Sequence, residues 1–529
     1  MMATNPSLSR GIRWKEKYEF LQASSLVHGI ALVLLVSTTI PALAGSPSLA
    51  RRLSQHRPSL LTTPLLQYDI DLPSGATGIP GGTLAVRVHA PTAAQARYPA
   101  GAPVVIIVTG GDDIGKLRYT PPQSGNDLIV LTFLFPGGQD ASSERRSDGV
   151  YDHRGTACIA ALRDVIRYAA GELRDTQGRT IDDLLAVAVL HDNIGLLALS
   201  NGGNIAIAVA AQHGRMLAGA LRYVVQWETP VSSQAVTADM GQVRLQCPPG
   251  VDGRNAYVNP RYRGYGPLIW DVDLSDLAYD PAGNVRVFHD GTGDGRYTTV
   301  LDPRSGCRTP DLDLNGRMSL TEDWLLSAFS DDAKHYYSRP VAQALVAQHV
   351  ITGTWPADIG TPAETAAYYW DMREAVRLYA AALTNIPDLQ GMVLASVKDH
   401  VQSAPDKPHI HQAYDGFRKA AGLWTRLNPD RVYIQTLDPA APSGMFPDNP
   451  ANSEPVDWLG VRTWAHPTSS QSARIVPLAA IAEMADRTRA DEWCANLDRV
   501  LEDVPQATPE PTIPSPNAHR LGLPVILKG

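Results

Sequence analysis

The four cysteines of the 529-residue chain form no C-x-x-C pair, so the ligand spacing of a structural zinc site or a redox dithiol is missing. Positive charge is also short. Lysine and arginine number 46 against 54 acidic residues, for a formal net charge of -8, and without a basic surplus nucleic acid is excluded as an expected partner. No fixed-period repeat is present, which removes solenoids and arrays. The apolar run 30–36 is flanked by His28, Ser37, Thr38, Thr39 and Pro41, too short a clean stretch for a membrane span of about 20 residues. Charged residues make up only 19%, while the 43 glycines and 41 prolines exceed the usual share. With 44% apolar residues, the composition excludes collagen and wholesale disorder and predicts a loop-rich globular protein.

Arg10, Arg13, Lys15 and Lys17 precede that apolar run, and Ala42-Leu43-Ala44 follows it. A basic start, a short apolar stretch and small residues at alternate positions predict a signal peptide over 1–44, an uncleaved anchor being the alternative. The mature protein is then expected to be acidic, without a stable membrane span, and secreted or periplasmic. In that compartment Cys158, Cys247, Cys307 and Cys494 permit two disulfides, in any of three pairings. Cys247 with Cys307 is preferred, because both flank one loop-rich stretch. Cys158 sits on the apolar stripe of an expected helix and reads equally well as a buried small hydrophobe.

The length allows three or four domains of roughly 150 residues, or one large domain with insertions. β-type runs at 66–72 and 83–89, separated by Gly and Pro, predict an antiparallel hairpin. Strands are then expected at 104–108, 128–134, 194–199 and 223–227, with helices at 155–173 and 204–212 between them. That alternation predicts an α/β fold, a doubly wound, mostly parallel sheet with helices on both faces. The rhythm breaks over 231–387, read as a large inserted cap with helices at 322–330 and 363–384. It resumes over 388–501 with a strand at 392–397, a helix at 411–424, a strand at 431–436 and a helix at 473–488. Residues 45–230 and 388–501 would thus form the two parts of one core, and 502–529 a Pro-rich tail.

The chemistry concentrates at Ala198-Leu199-Ser200-Asn201-Gly202-Gly203, between an expected buried strand and an expected helix. A nucleophile perched on a sharp strand-to-helix turn tolerates only small neighbours two positions away on each side, and Ala198 and Gly202 meet that demand. A nucleophilic Ser200 then needs a base, an orienting carboxylate and donors for an oxyanion. Asp399, just past the strand at 392–397, is the preferred acid, and Glu228, just past 223–227, is the alternative. His466 lies in a loop between the last expected strand and the last helix and is the preferred base. His409 and His411 come one strand too early and read as surface or helix-start residues. The oxyanion donors would be the N–H of Asn201 and that of Gly111 or Asp112, in the turn Thr109-Gly110-Gly111-Asp112.

Strand order, elbow, post-strand acid and late histidine together resemble the α/β-hydrolase superfamily over roughly 66–489 minus the insertion. The Ser200-Asn201-Gly202-Gly203 string is similar to the elbow of dienelactone hydrolase-like and prolyl oligopeptidase-like serine hydrolases. The resemblance implies a serine hydrolase, cleaving esters or short peptides through an acyl-enzyme, with Ser200, Asp399 and His466 as its triad. Too few residues precede Ser200 for the β-propeller of prolyl oligopeptidases, which favours a carboxylic ester over a peptide. A catalytically silent, calcium-dependent binding protein is the reading from another class.

A second motif lies in the insertion. Asp311, Asp313, Asn315, Gly316 and Glu322 fall at positions 1, 3, 5, 6 and 12 of an EF-hand-like loop, with the carbonyl of Arg317 at position 7. Oxygen donors in that order predict a structural Ca²⁺ site. Pro303, Gly306 and Pro310 rule out an entering helix, so the loop resembles lone dockerin-type loops, with a helix leaving from Glu322. Asp290-Gly-Thr-Gly-Asp294-Gly nearby is read as a turn rather than a second ion site.

Overall fold

Val104, Ile106 and Val108 are buried on one side of their strand and Val105 on the other, the period-two signature of a strand covered on both faces. The computed structural model describes residues 65–111, 113–118, 127–232, 248, 274–279, 287–290, 292–301, 303, 306–311, 314, 325–326, 329–331, 334–336, 339–350, 371–372, 374–395, 408–418, 424–437, 472–494 and 496–503. Eight strands form the main sheet: β1 (Leu66–Pro73), β2 (Thr83–Ala90), β3 (Ala102–Val108), β4 (Ile129–Phe133), β5 (Val189–Leu199), β6 (Leu221–Trp227), β7 (Gln390–Leu394) and β8 (Thr425–Leu427). Their order is β1-β2-β4-β3-β5-β6-β7-β8. Only β2 runs against its neighbours; every other adjacent pair is parallel. The expected hairpin and the expected doubly wound α/β sheet are both present, in the strand order of the α/β-hydrolase fold.

One face of the sheet is covered by α1 (Thr156–Ala169), α2 (Gly202–Leu217), α3 (Tyr379–Asn385) and α4 (Pro408–Arg418). The other is covered by α5 (Arg431–Leu437), α6 (Ser472–Ala490) and α7 (Leu497–Asp503). Each wholly buried branched side chain of these layers contributes about 1.5–3 kcal/mol relative to exposure. Polar anchors add direction. Arg97, just ahead of β3, donates to both carboxylate oxygens of Asp486 on α6 at 2.7 Å, and the hydroxyls of Tyr98 and Tyr433 donate to the same carboxylate at 2.7 and 2.8 Å. This buried cluster fixes α6 against the sheet.

Four expectations need correction. Residues 431–436 form α5 rather than a strand: Asp430 accepts from the Val432 N–H at 3.1 Å and its carbonyl takes the Tyr433 N–H at 3.0 Å. That N-terminal cap outweighs the strand preference of Val432, Tyr433 and Ile434. Helix α4 is described over Pro408–Arg418, and Trp424 leads into β8 instead of closing a helix. Where a helix was expected over 322–330, residues Leu325–Leu326 pair antiparallel with Val287 and Phe288, and Phe329–Asp331 with Lys334–Tyr336; non-local pairing overrides a weak local helix preference. At 363–384, the described residues are helical at Asp371 and again in α3, with a 3₁₀ turn, Ala375–Arg377, between them.

Helix α3 is part of the sheet's own helix layer. Asn385 donates to the Ala211 carbonyl at 2.7 Å and accepts from Arg215 at 3.1 Å, and the Tyr379 hydroxyl donates to Gln226 at 2.7 Å. Cys158 and Cys494 carry free thiols, so the two-disulfide arrangement does not form. Cys158 is a buried hydrophobe of α1. Cys247, one half of the preferred pair, lies outside the described residues. Asp290 accepts the N–H groups of Gly293, Asp294 and Gly295, which is the expected turn. Among the described residues no helix is long and apolar enough to cross a membrane.

Candidate active site

Ser200 follows the last residue of β5 with φ of +48°. A serine in the left-handed region is strained. Two backbone bonds hold it there: its N–H donates to the Trp227 carbonyl at the end of β6 at 2.8 Å, and its carbonyl accepts the Gly203 N–H at 3.0 Å. Helix α2 begins two residues later. This is the sharp strand-to-helix turn expected from Ala198 and Gly202.

The loop leaving β3 lies directly on that turn. A Cβ on Gly202 would sit 2.5 Å from the Val108 carbonyl oxygen, and one on Gly110 would sit 2.8 Å from the Ser200 Cβ. Only glycine fits at either position. Gly111 has φ of +60° in a tight turn closed by the Asp113 N–H on the Gly110 carbonyl at 3.3 Å. Among the described residues, the N–H groups of Gly111 and Asn201 make no backbone–backbone hydrogen bond. Asp112, the other expected donor, lies outside the described residues.

The Asn201 side chain is buried and joins the two loops. Its Nδ2 donates to the Gly111 carbonyl at 2.9 Å, and its Oδ1 accepts from Asn204 at 2.9 Å. Asn204 in turn accepts from the Ala375 N–H at 3.3 Å, so the chain entering α3 is tied to the elbow. The sequence pointed to the Asn201 backbone and gave no sign of this side-chain link.

Glu228, the alternative acid, is buried at the end of β6 with φ of +46°, and its N–H donates to the Leu394 carbonyl at 3.1 Å. It therefore stands on the strand neighbouring Ser200. Asp399 and His466 lie outside the described residues. The strand ends before them are joined by Asn428, which the sequence reading missed: it accepts from the Ala395 N–H at 2.8 Å and donates its own N–H to the Val393 carbonyl at 3.0 Å. His409 and His411 are in the first turn of α4, as expected of helix-start residues, yet both are wholly buried rather than at the surface. Burial, with the nearby His409 adding to it, pushes the His411 imidazole down to about 2.

Of the expected calcium ligands, Asp311 is described, while Asp313, Asn315, Arg317 and Glu322 lie outside the described residues. Asp311 is buried directly after the strand Arg308–Pro310, and its N–H donates to the Thr298 carbonyl at 3.1 Å. Leu314 within the loop has φ of +60°. Among the described residues no group of three or more His, Cys, Asp or Glu side chains is gathered for a metal.

No protein-family model and no curated protein matches the chain. Solved structures similar to part of it include the thermostable carboxylesterase EstE1 from a metagenomic library, at 15% identity and a TM-score of 0.20, covering 35% of this chain and 52% of that one. An esterase from Pyrobaculum calidifontis is similar at 16% identity and a TM-score of 0.21, over 35% and 49%. Pyrococcus horikoshii acylaminoacyl peptidase is similar at 11% identity and a TM-score of 0.23, over 34% and 25%. The chain thus spans about half the length of the two esterases and a quarter of the peptidase.

Proposed function

We propose that the protein is an exported serine hydrolase that cleaves carboxylic esters through an acyl-enzyme. The left-handed Ser200, raised at the end of β5 against the glycine loop leaving β3, is the observation that carries this reading. In it, the Ser200 hydroxyl attacks the ester carbonyl carbon and His466 accepts the hydroxyl proton, with Asp399 orienting the imidazole. The Asn201 N–H and that of Gly111 or Asp112 hold the oxyanion of the tetrahedral intermediate. His466 then protonates the departing alkoxide, and water repeats the sequence on the acyl-Ser200 ester. Glu228 is the second carboxylate to test beside Asp399.

A fluorophosphonate probe should label the wild type at Ser200, and Ser200→Ala should abolish both label and turnover of p-nitrophenyl acyl esters. Folded wild type that turns over these esters without labelling at Ser200 would sink the assignment. Faster cleavage of peptide anilides than of esters would move the activity to a peptidase using the same residues.

The proposal extends to calcium. Asp311, Asp313, Asn315, the Arg317 carbonyl and Glu322 offer only oxygen donors, which suits Ca²⁺, and the buried Asp311 at the end of a strand supports such a loop. A bound ion would cross-link the loop and stiffen the insertion. Chelator should lower the melting temperature of the wild type, and Asp311→Ala should remove that difference. A melting curve indifferent to chelator argues for a plain turn.

A further inference from the structure

Between β4 and α1 the segment Tyr151-Asp152-His153-Arg154-Gly155 makes a turn whose purpose the triad does not explain. His153 and Arg154 are both left-handed, with φ of +54° and +73°, a conformation that costs each of them energy. The Arg154 side chain is turned inward, where the residue is only 2% exposed. Its Nη2 donates to the Asp113 carbonyl at 2.6 Å, the Thr109 hydroxyl at 3.2 Å and the Gly110 carbonyl at 3.4 Å, and its Nε donates to the Tyr151 hydroxyl at 3.1 Å. The guanidinium lies 4.2 Å from the centre of the Phe135 ring.

Two features of this arginine bear on the loop. No carboxylate forms an ion pair with it among the described residues, and its buried Nη1 has no hydrogen-bond partner. Asp152, the acid nearest in sequence, spends its carboxylate on the Ala157 and Cys158 N–H groups at the start of α1. A buried cation without a counter-charge is costly. Its three Nη2 acceptors all belong to the loop that rests on Ser200. Because the C=O and N–H of one peptide unit point in opposite directions, holding the Gly110 carbonyl toward Arg154 turns the Gly111 N–H away from it.

We propose that Arg154 is a positioning residue for the oxyanion loop: it clamps Thr109, Gly110 and Asp113 from behind, fixes the direction of the Gly111 N–H, and lends an unneutralised positive charge to the rim where negative charge develops. This rests on the hydrolase reading of Ser200. The clamp is needed most when the tetrahedral oxyanion forms and least for ground-state binding, so its loss falls on kcat.

The test compares wild type, R154Q and R154K on a p-nitrophenyl ester, with competent serines counted by fluorophosphonate titration so that misfolded molecules drop out. R154Q should lower kcat per titrated serine by about 10²-fold, the scale of one lost oxyanion donor, with KM within about twofold. R154K, which keeps the charge and loses the fork, should fall less. A trifluoromethyl ketone, which forms a tetrahedral adduct, should lose affinity in step with kcat/KM. Unchanged kcat per serine in R154Q, or a change in KM alone, overturns the proposal. If R154Q yields no titratable serine, R154K decides, and wild-type kcat in that variant overturns it. A wild type that neither labels nor turns over fails before any variant is made, and takes the hydrolase reading down with the clamp.

Discussion

The two ends of β3 each hold a buried arginine, and the two are solvated in opposite ways. Before the strand, Arg97 meets Asp486 at 2.7 Å and Asp127 at 2.8 Å, so its charge is more than matched. Burial first, and then the Asp486 carboxylate, push the Tyr98 and Tyr433 hydroxyls well above their ordinary range, which keeps both as donors to that carboxylate. After the strand, the hydrogen-bond acceptors of Arg154 among the described residues are carbonyls and hydroxyls, with the Phe135 ring beside its guanidinium. A matched pair cancels its own field and serves as a fixing point. An unmatched cation bonded to neutral dipoles keeps its field, and that is of use only where another negative charge arrives. The foot of the sheet therefore reads as structure, and the rim reads as a place for chemistry.

This contrast breaks most visibly at Asp486. Asp486→Ala strands Arg97 beside Asp127 alone and removes the acceptor of two buried hydroxyls. Arg97 keeps Asp127 as a counter-charge, so the cost falls mainly on the two stranded hydroxyls, about 1–3 kcal/mol each. Urea denaturation should show a destabilisation of that order, while kcat per titrated serine stays at the wild-type value. If Asp486→Ala instead lowers kcat as strongly as R154Q does, the division between foot and rim is wrong.

How much of this was legible in the sequence follows from how local each cause is. The elbow depends on the sizes of Ala198 and Gly202, two positions from Ser200, so it can be read in one glance along the chain. The sheet was legible because burial on both faces leaves continuous Val and Ile runs such as 104–108. Helix α5 was misread because the strand-forming Val432, Tyr433 and Ile434 outvoted a single cap at Asp430. The pairing of 325–326 with 287–288 joins residues far apart, and no local pattern announces it. Arg154 was missed for the same reason. Its role exists only once the loop after β3 and the loop after β4 are side by side. The acid and base of the expected triad, at 399 and 466, rest on sequence order alone.

His411 offers a third way to bury an ionisable group, which is to discharge it. Desolvation, with His409 adding to it, holds its imidazole at about 2 against an ordinary 6.5. The unfolded chain therefore takes up a proton as pH falls through about 6.5 and the folded chain does not, so its contribution to stability is present above that pH and is lost toward acid. The loss amounts to about 1.4 kcal/mol per pH unit for one proton. Urea unfolding of the wild type should show stability declining between pH 6.5 and pH 5, and His411→Leu should shed about one proton's worth of that slope. An unaltered slope in a folded His411→Leu would mean that the imidazole is charged inside α4 in the folded chain as well.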